Sequence, residues 1–403
     1  MNDLSIIKEK SNRKTRWFKV VIKVVFFFSL PFFLGGCTHD MSRKEIDEID
    51  LALVVAIDYE NGEYTISALH SSGGGADPEA GAGGSGKEEV AKGTGKSAYE
   101  ALEELKLKNK KAISLAQAGS FLIGEGAAKQ GINQSLDFLA RDETIKMEAL
   151  IYVIKGKKAA DFIQEGIKNK QTIHEDLEAM KQKQQEILTR NDNSMVNILN
   201  DMKQTDSCVL VPYLIADKSG YLIDGYAVFN QLKLVDYLDH ETSDGVNFIR
   251  NIMRSYPIYL DREIGLYISY TNTKLKTKLK NQQVTVTITV SFESMLKEVL
   301  TTKDVFTKEE LERLTRDQNN YIKAIIEKPV KYSLENGLDI LNLARLVENQ
   351  NYTQWKSIEK SWANEISDIK YQYKVQSRIS KSFLLGVRDQ RGEFLRNKAL
   401  FDL

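Results

Sequence analysis

Cys37 is the residue whose type and surroundings point most directly to a chemical reaction. It closes the run Leu34–Gly35–Gly36–Cys37, in which small side chains would let a peptidase reach the bond before the cysteine. A thiolate is a strong nucleophile, so this cysteine can take up a diacylglyceryl group. We therefore expect Cys37 to be a lipid attachment site, with S-diacylglyceryl and N-palmitoyl groups on the mature chain.

The segment before Cys37 fits a lipoprotein signal peptide. Residues 1–36 carry seven Lys or Arg against two acidic residues, a net charge of +5. Residues 20–34 are mostly apolar and shorter than the ~20 residues that a membrane-spanning helix needs. The alternative is an uncleaved anchor with an incidental cysteine, and Pro31 disfavours it because proline interrupts a continuous helix. We predict that the mature chain begins at Cys37.

The second cysteine, Cys208, lies in a short apolar run typical of a strand. Two cysteines in the whole chain exclude a disulfide scaffold and a cysteine-rich zinc module. With Cys37 lipidated, Cys208 has no cysteine partner. No histidine or cluster of cations close to it in the sequence would activate its thiol. We expect a lone buried thiol.

Two glycine patterns in residues 73–95 look like phosphate-binding loops. Residues 81–86 match G-x-G-x-x-G, and Lys87 begins to complete a P-loop, but Glu88 stands where Ser or Thr should bind magnesium. A phosphate loop must follow a strand and open a helix, so that its amides and the helix dipole meet the anion. Neither match has that setting, so we expect no bound cofactor.

The histidines and carboxylates do not combine into a catalytic or metal site. His240 and Asp244 could share one face of a helix, but one pair is not a site. The adjacent residues 174–176 (His-Glu-Asp) would point about 100° apart on a helix and could not chelate together. His39 and His70 stand alone. We predict no catalytic residue, no metal ligand and no enzymatic activity.

The charge distribution argues against one class of partner. The whole chain has a formal net charge of zero, so residues 37–403 together carry −5. Bulk nucleic-acid binding needs a basic surface, which a mildly acidic body does not suggest. We predict no nucleic-acid partner.

Hydrophobic periodicity predicts an α+β fold of several domains, with mixed and antiparallel sheets and packed helices. In residues 37–220 we predict a hairpin through Asn61 and Gly62, followed by alternating helices and strands. Residues 73–95 contain nine glycines and one large apolar residue, Val90, so we predict a flexible surface loop there. This N-terminal region could divide near residue 165 into two domains.

A C-terminal α+β domain, residues 221–403, begins with another predicted hairpin. Residues 284–292 alternate apolar and polar side chains without a break, which is typical of a half-buried strand. Residues 308–346 have a helical pattern that Pro329 could break. Trp355 and Trp362 are seven residues apart, so we predict that they stack on one face of a helix.

Several of these segments, in their order and spacing, resemble the Ger(x)C lipoproteins, which are the C subunits of spore germination receptors. The resemblance begins at Cys37 and the strand that ends in Asp58. It covers most of residues 37–390. Further matching residues are Ile123, Gly124, Glu125, Arg141, Asp142, Gly225, Tyr226, Phe229, Gly245, Phe248, Asp339, Trp355 and Trp362.

The resemblance implies an extracytoplasmic lipoprotein without a catalytic role. Such a protein would lie on the outer face of the spore inner membrane, held there by its lipid anchor. It would work with two integral membrane subunits of the same receptor complex in germination triggered by small nutrients. The resemblance leaves open which nutrient acts, and whether this subunit contacts it.

Two other functions compete with a receptor subunit that acts through protein partners. The first is a solute-binding lipoprotein of a membrane transporter. Such a protein would show repeated βα units of parallel sheet, whereas predicted antiparallel hairpins open both halves of this chain. The second is a cell-surface enzyme, for which the sequence offers no nucleophile motif, metal cluster or cofactor loop. The receptor subunit is therefore the favoured prediction.

Overall fold

A computed structural model of the 403-residue chain describes residues 48–71, 88–189, 193–204, 206–217, 220–301 and 304–380. Cys37, the predicted signal peptide and the glycine patterns before Lys87 lie outside these residues. The chain divides into two units between residues 49 and 50. The second unit, residues 50–403, holds nearly all of the described residues.

The larger of two sheets has nine strands among the described residues. They are β1 (Ile49–Glu60), β2 (Glu63–Ser71), β3 (Glu88–Gly95), β4 (Ala112–Ser114), β5 (Ser120–Gly124), β6 (Leu150–Ile154), β7 (Val209–Asp217), β8 (Gly220–Asn230) and β9 (Lys233–Leu238). Their order is β3-β2-β1-β5-β6-β7-β8-β9, and β4 pairs with β1. The central strands β1, β5, β6 and β7 are parallel, and antiparallel pairs flank them. The hairpin at Asn61 and Gly62 is confirmed, with positive φ at both residues.

Helices cover both faces of this sheet. One face carries α1 (Ala98–Lys108), α2 (Glu125–Gln130), α3 (Ile132–Arg141) and α6 (Met195–Asp201), and the other carries α4 (Ala159–Lys168) and α5 (Ile173–Ile187). Successive side chains of a strand point to opposite faces, so Val54 and Val55 of β1 belong to different hydrophobic clusters. A three-layer arrangement results, in which the central strands are buried on both sides.

The smaller sheet packs against the longest of the described helices. Its strands are β10 (Tyr256–Leu260), β11 (Ile264–Lys280), β12 (Gln283–Val299) and β13 (Lys370–Ser380), in that order. Its helices are α7 (His240–Ile249), α8 (Lys308–Asn336), α9 (Leu343–Gln350), α10 (Tyr352–Trp355) and α11 (Trp362–Glu365).

The alternation predicted for residues 284–292 is confirmed, because every second residue of β12 from Val284 to Leu296 is buried. The α+β class with mixed and antiparallel sheets is confirmed as well.

The prediction of a loop is wrong for the last part of the glycine-rich segment. Residues 88–95 form β3, which pairs with β2 in continuous antiparallel register. Gly93 lies directly under α1: a Cβ on it would stand 2.3 Å from the carbonyl oxygen of Ala101. Glycine is needed there because the backbone of α1 packs directly against the backbone of the strand. The glycine that suggested a loop is therefore required for the close contact between helix and strand.

Two predictions in the C-terminal half are corrected. Pro329 does not break its helix, since α8 runs through it to a left-handed C-cap at Gly337. Trp355 and Trp362 lie on separate short helices, α10 and α11, instead of on one helix. Their rings still meet, with centroids 5.2 Å apart in an edge-to-face arrangement. The predicted contact between the two tryptophan rings is therefore present, but it forms between two short helices and not along one continuous helix.

The larger sheet extends past the predicted boundary between residues 220 and 221. That boundary falls at the first residue of β8, and both β8 and β9 continue the sheet that begins in the N-terminal region. The division into separate domains at this point stays a prediction. None of the helices in the described ranges is long and apolar enough to cross a membrane.

Candidate functional site

A cleft of about 290 Å³ opens between α5, the β7–β8 pair and α7. Its walls are mainly apolar, and polar side chains reach it from both α5 and α7. The size is at the lower end of the range of small-molecule sites in proteins. The apolar residues of the lining include Ile187, Leu188, Leu222 and Ile223.

Helix α7 brings most of the polar side chains to the cleft. It starts immediately after β9, where the carboxylate of Asp239 accepts a hydrogen bond of 2.7 Å from the amide of Thr242. The hydroxyl of Ser243 accepts one from the amide of Tyr226 at 3.1 Å. The hydroxyl of Tyr226 donates to Asn247 at 2.7 Å. Strand β8 and helix α7 are therefore held together along one wall.

Gly225 allows this close contact between β8 and the start of α7. Its φ of +147° lies in a region that L side chains rarely adopt. A Cβ would stand 2.1 Å from the carbonyl oxygen of Leu238 and 2.9 Å from the hydroxyl of Ser243. The wall of the cleft can form only with glycine at this position.

Helix α5 forms the opposite wall and bridges two parts of the fold. Near its start, Ile173 and Leu177 are buried against the larger sheet. At its end, the carbonyl of Ile187 accepts a hydrogen bond of 2.7 Å from the amide of Arg254. The amide of Thr189 donates to the carbonyl of Ile252 at 2.8 Å. Helix α5 is otherwise polar, and it packs through a narrow apolar stripe that includes Leu177 and Met180.

Two buried oxygen atoms in the cleft lack a hydrogen-bond donor. They are Oδ2 of Asp244 and Oε1 of Gln184. Asp244 is 7% exposed, and burial raises the pKa of its carboxyl to about 6, while the charge of His240 opposes the shift. The imidazole Nε2 of His240 lies 3.6 Å from that Oδ2. An apolar cleft with two unpaired acceptors can receive a hydrogen-bond donor, such as an ammonium, amide or hydroxyl group.

The structure separates the other residues singled out in the sequence. His240 and Asp244 do share a helix face, as predicted. His70 is buried beside Asp50, with Nδ1 3.8 Å from a carboxylate oxygen, on the larger sheet. In the described part of the chain, no group of three or more His, Cys, Asp or Glu side chains could hold a metal ion. Cys37 lies outside the described residues.

Cys208 is a buried free thiol, as predicted. Burial, with a contribution from the charge of Asp339, raises the pKa of the thiol to about 12. The backbone amide of Cys208 donates to the carbonyl of Asp339 at 2.9 Å. Nothing in this environment would favour the reactive thiolate, so Cys208 acts in packing.

Sequence reasoning missed the cleft as a unit. Gln184, Tyr226 and Asn247 lie on three elements far apart in the chain, and no local pattern joins them. One signal was present in α7, where Ser243, Asp244 and Asn247 accompany apolar residues. The structure buries all three of these polar side chains. Because residues 243, 244 and 247 fall within about 100° of one another on a helix, their burial shows that this polar face is covered by other parts of the fold.

Comparison with known families accounts for nearly all of the described chain. Residues 42–216 match the model of the spore germination protein N-terminal domain. Residues 224–382 match the model described as spore germination B3/GerAC like, C-terminal. The chain belongs to the GerAC-like family of germinant receptor subunits. This confirms the resemblance to the C subunits of spore germination receptors.

Two individual proteins similar to this GerAC-like chain agree with that result. YfkR of Bacillus subtilis (strain 168), by its name a candidate spore germination protein, is 22% identical over 334 residues, which cover 79% of this chain and 82% of YfkR. The crystal structure of the GerBC protein matches with a TM-score of 0.52 at 16% identity, covering 81% of this chain and 96% of GerBC. The second match shows that the fold is shared.

Proposed function

We propose that this protein is the lipid-anchored subunit of a nutrient germinant receptor and acts in spore germination through protein partners. The observation that carries the proposal is the succession of the two GerAC-like family matches, which together span residues 42–382. Family membership supports a role in germination. The lipid anchor, the protein partners and the absence of catalytic activity go beyond family membership, and we propose them here.

The anchor is proposed at Cys37, five residues before the first family match begins. Two or three acyl chains on one cysteine give stable membrane attachment, whereas one chain is marginal. The folded part then needs no spanning helix of its own, and none was found among the described helices. The protein would lie on the extracytoplasmic face of the spore inner membrane with two integral membrane subunits.

A deletion in a sporulating host tests the receptor function. Spores without this protein should lose germination to one class of nutrient and keep a receptor-independent route. Complementation with Cys37→Ala should fail, whereas the matched variant Cys208→Ala should restore germination. Unchanged germination to every nutrient, in a strain without a related receptor, would contradict the proposal.

Mass analysis tests the anchor separately. The protein from spore membranes should have a mature N-terminus at Cys37 and carry acyl chains on it. An unmodified Cys37 in the membrane fraction would rule out lipid attachment. The Cys37→Ala variant should stay an uncleaved precursor or appear as a soluble product.

The cleft favours one alternative, a solute-binding lipoprotein of a transporter. Its two unpaired acceptors could hold a small polar solute, and the central strands of the larger sheet are parallel. Titration calorimetry of the purified full chain with candidate nutrients separates the two functions. A receptor subunit that acts through its partners should show no tight binding alone. Micromolar binding that Asp244→Asn and Gln184→Ala weaken would favour the alternative.

A further inference from the structure

The outward face of the smaller sheet carries a regular array of lysines. In β11, the residues facing the helices are Thr273, Leu275, Thr277 and Leu279, all buried or half-buried, and the residues between them are exposed. The same alternation continues in β13. We call the exposed set the lysine face, and it consists of Lys274, Lys276, Lys278, Lys280, Lys370 and Lys374.

Strand register places these lysines in rows across three strands. Thr285 of β12 pairs with Lys278 on one side and Lys370 on the other. Further along β12, Thr289 pairs with Lys274 and Lys374 in the same way. Successive outward residues of a strand are about 7 Å apart and neighbouring strands about 5 Å. The lysine side chains therefore lie on one face of the sheet, with short threonine side chains between them.

The positive charge of this surface is not neutralised locally. Among the described residues, none of the six lysines forms an ion pair with a carboxylate. The acidic residue that faces outward beyond these rows, Glu293, is itself paired with Arg378 at 3.0 Å. The charge is concentrated here although residues 37–403 carry a net charge of −5. The net charge of residues 37–403 is negative, but the lysine face is a locally basic surface.

Exposed tyrosines continue the same face beyond the lysines. Tyr270 of β11 is 60% exposed and pairs with Glu293, in line with the outward lysines. Tyr259 of β10 is 65% exposed and points away from the buried Ile258. Tyrosine rings are favoured at membrane–water interfaces, where one end contacts apolar chains and the hydroxyl stays in water.

We infer that the lysine face docks on an anionic phospholipid surface. A regular array of flexible ammonium groups on one face of a sheet can contact many phosphate groups of a membrane surface at once. Near an anionic bilayer each lysine strengthens binding by about fivefold. The effect is confined to a Debye length, ~8 Å at physiological salt, so the attraction would also orient the protein, with this face towards the membrane.

The inference adds a second membrane contact to the proposed lipid anchor. It relies on that anchor only to keep the chain close to a bilayer. Its test uses vesicles without other proteins, so its failure would leave the proposed receptor role unaffected.

Lysine acetylation followed by mass spectrometry measures the contact on the full chain. The protein is incorporated into vesicles of phosphatidylcholine alone or of phosphatidylcholine mixed with phosphatidylglycerol. In the anionic vesicles, modification of Lys274 and Lys374 should slow by at least about fivefold. Modification of Lys92 and Lys168, which are exposed on the other sheet and its helices, should stay the same. Raised salt should remove the protection.

Two fourfold variants with the same change in net charge provide the control. K274E/K276E/K278E/K280E should abolish the protection of Lys370 and Lys374, which remain on β13. K92E/K96E/K168E/K170E changes exposed lysines elsewhere and should preserve it. Circular dichroism checks that each variant is folded.

Three results would overturn the inference. The first is equal modification of the lysine face in both kinds of vesicle. The second is protection that persists in the variant with four glutamates on β11. The third is protection by a short DNA duplex as strong as that by anionic vesicles, which would show a general affinity for polyanions.

Discussion

The carboxylate of Asp58, near the end of β1, accepts a hydrogen bond of 2.7 Å from the backbone amide of Ala159, the first residue of α4. Its other oxygen accepts one of 2.9 Å from Ala160. The residue at the N-cap of α4, Lys158, offers no side-chain acceptor, so a strand from far earlier in the chain caps the helix. Burial raises the pKa of Asp58, and the two amides oppose that shift.

Replacing this carboxylate should destabilise the larger sheet and its helices. Asp58→Ala leaves two buried amides without an acceptor, and each such group costs ~1–3 kcal/mol. We expect the free energy of unfolding in urea to fall by about 2–4 kcal/mol. Asp137→Ala, on the exposed surface of α3, is the matched control and should change it little. Equal stability of the two variants would show that the cap is unimportant.

Gly93→Ala tests whether residues 88–95 are an integral strand. A Cβ there meets the backbone of α1, which cannot move without repacking, and overpacking costs ~1–3 kcal/mol or more. Urea unfolding should therefore show a lower midpoint for this variant. Lys92→Ala, exposed on the same strand, should leave the midpoint close to the wild type. An unchanged midpoint for Gly93→Ala would contradict the close packing of α1 on this strand.

The ionisation of Asp244 should make stability fall as pH rises through weakly acidic values. Its pKa is raised from 3.8 to about 6 in the folded state, so the folded protein keeps a proton that the unfolded chain has lost. The free energy of unfolding then decreases between about pH 4 and pH 6 and is flat above. Asp244→Asn removes this decrease and should be more stable at pH 7 by roughly 1–3 kcal/mol. Parallel pH profiles for variant and wild type would contradict the assignment.

Cys208 should resist alkylation in the folded protein. With its pKa raised to about 12, only about one thiol in ten thousand is ionised at pH 8, and the thiolate is the reactive form. Membrane-derived protein should take no iodoacetamide label when native and a single label after unfolding, because the proposed lipid blocks Cys37. A second label after unfolding would mean that Cys37 is free. Gln372→Cys, on exposed β13, provides the positive control for labelling.

Local patterns predicted the elements whose fold is specified by their own residues. The uninterrupted alternation around Ile288 defines β12, and the polar turn at Asn61 and Gly62 defines the first hairpin. In contrast, β3 exists because β2 and α1 pack against it, and its own composition resembles that of a loop. Sheet membership of the β7–β8 hairpin likewise depends on pairing Tyr213 with Val153 of β6, a relationship between residues far apart in the chain.

The cleft and the lysine face were beyond sequence reasoning for different reasons. The cleft joins Gln184, Tyr226 and Asp244 from three elements, and only the packed fold brings them together. The alternating lysines between Lys274 and Lys280 were visible in the sequence. Their meaning depends on Lys370 and Lys374, which reach the same surface only because β13 pairs in parallel with β12. Net charge, an average over the whole chain, concealed this local concentration.

The pairing of β7 with β8 determines how the chain can be divided. The two family matches meet between residues 216 and 224, but Val209 to Asp217 and Gly220 to Phe229 are hydrogen-bonded neighbours in one sheet. A cut at this junction would leave each fragment with an unsatisfied strand edge that only the other fragment matches. Such edges readily acquire new strands. We expect the two halves to be poorly soluble when produced singly and to recombine when produced together, as a split protein that reassembles by strand addition.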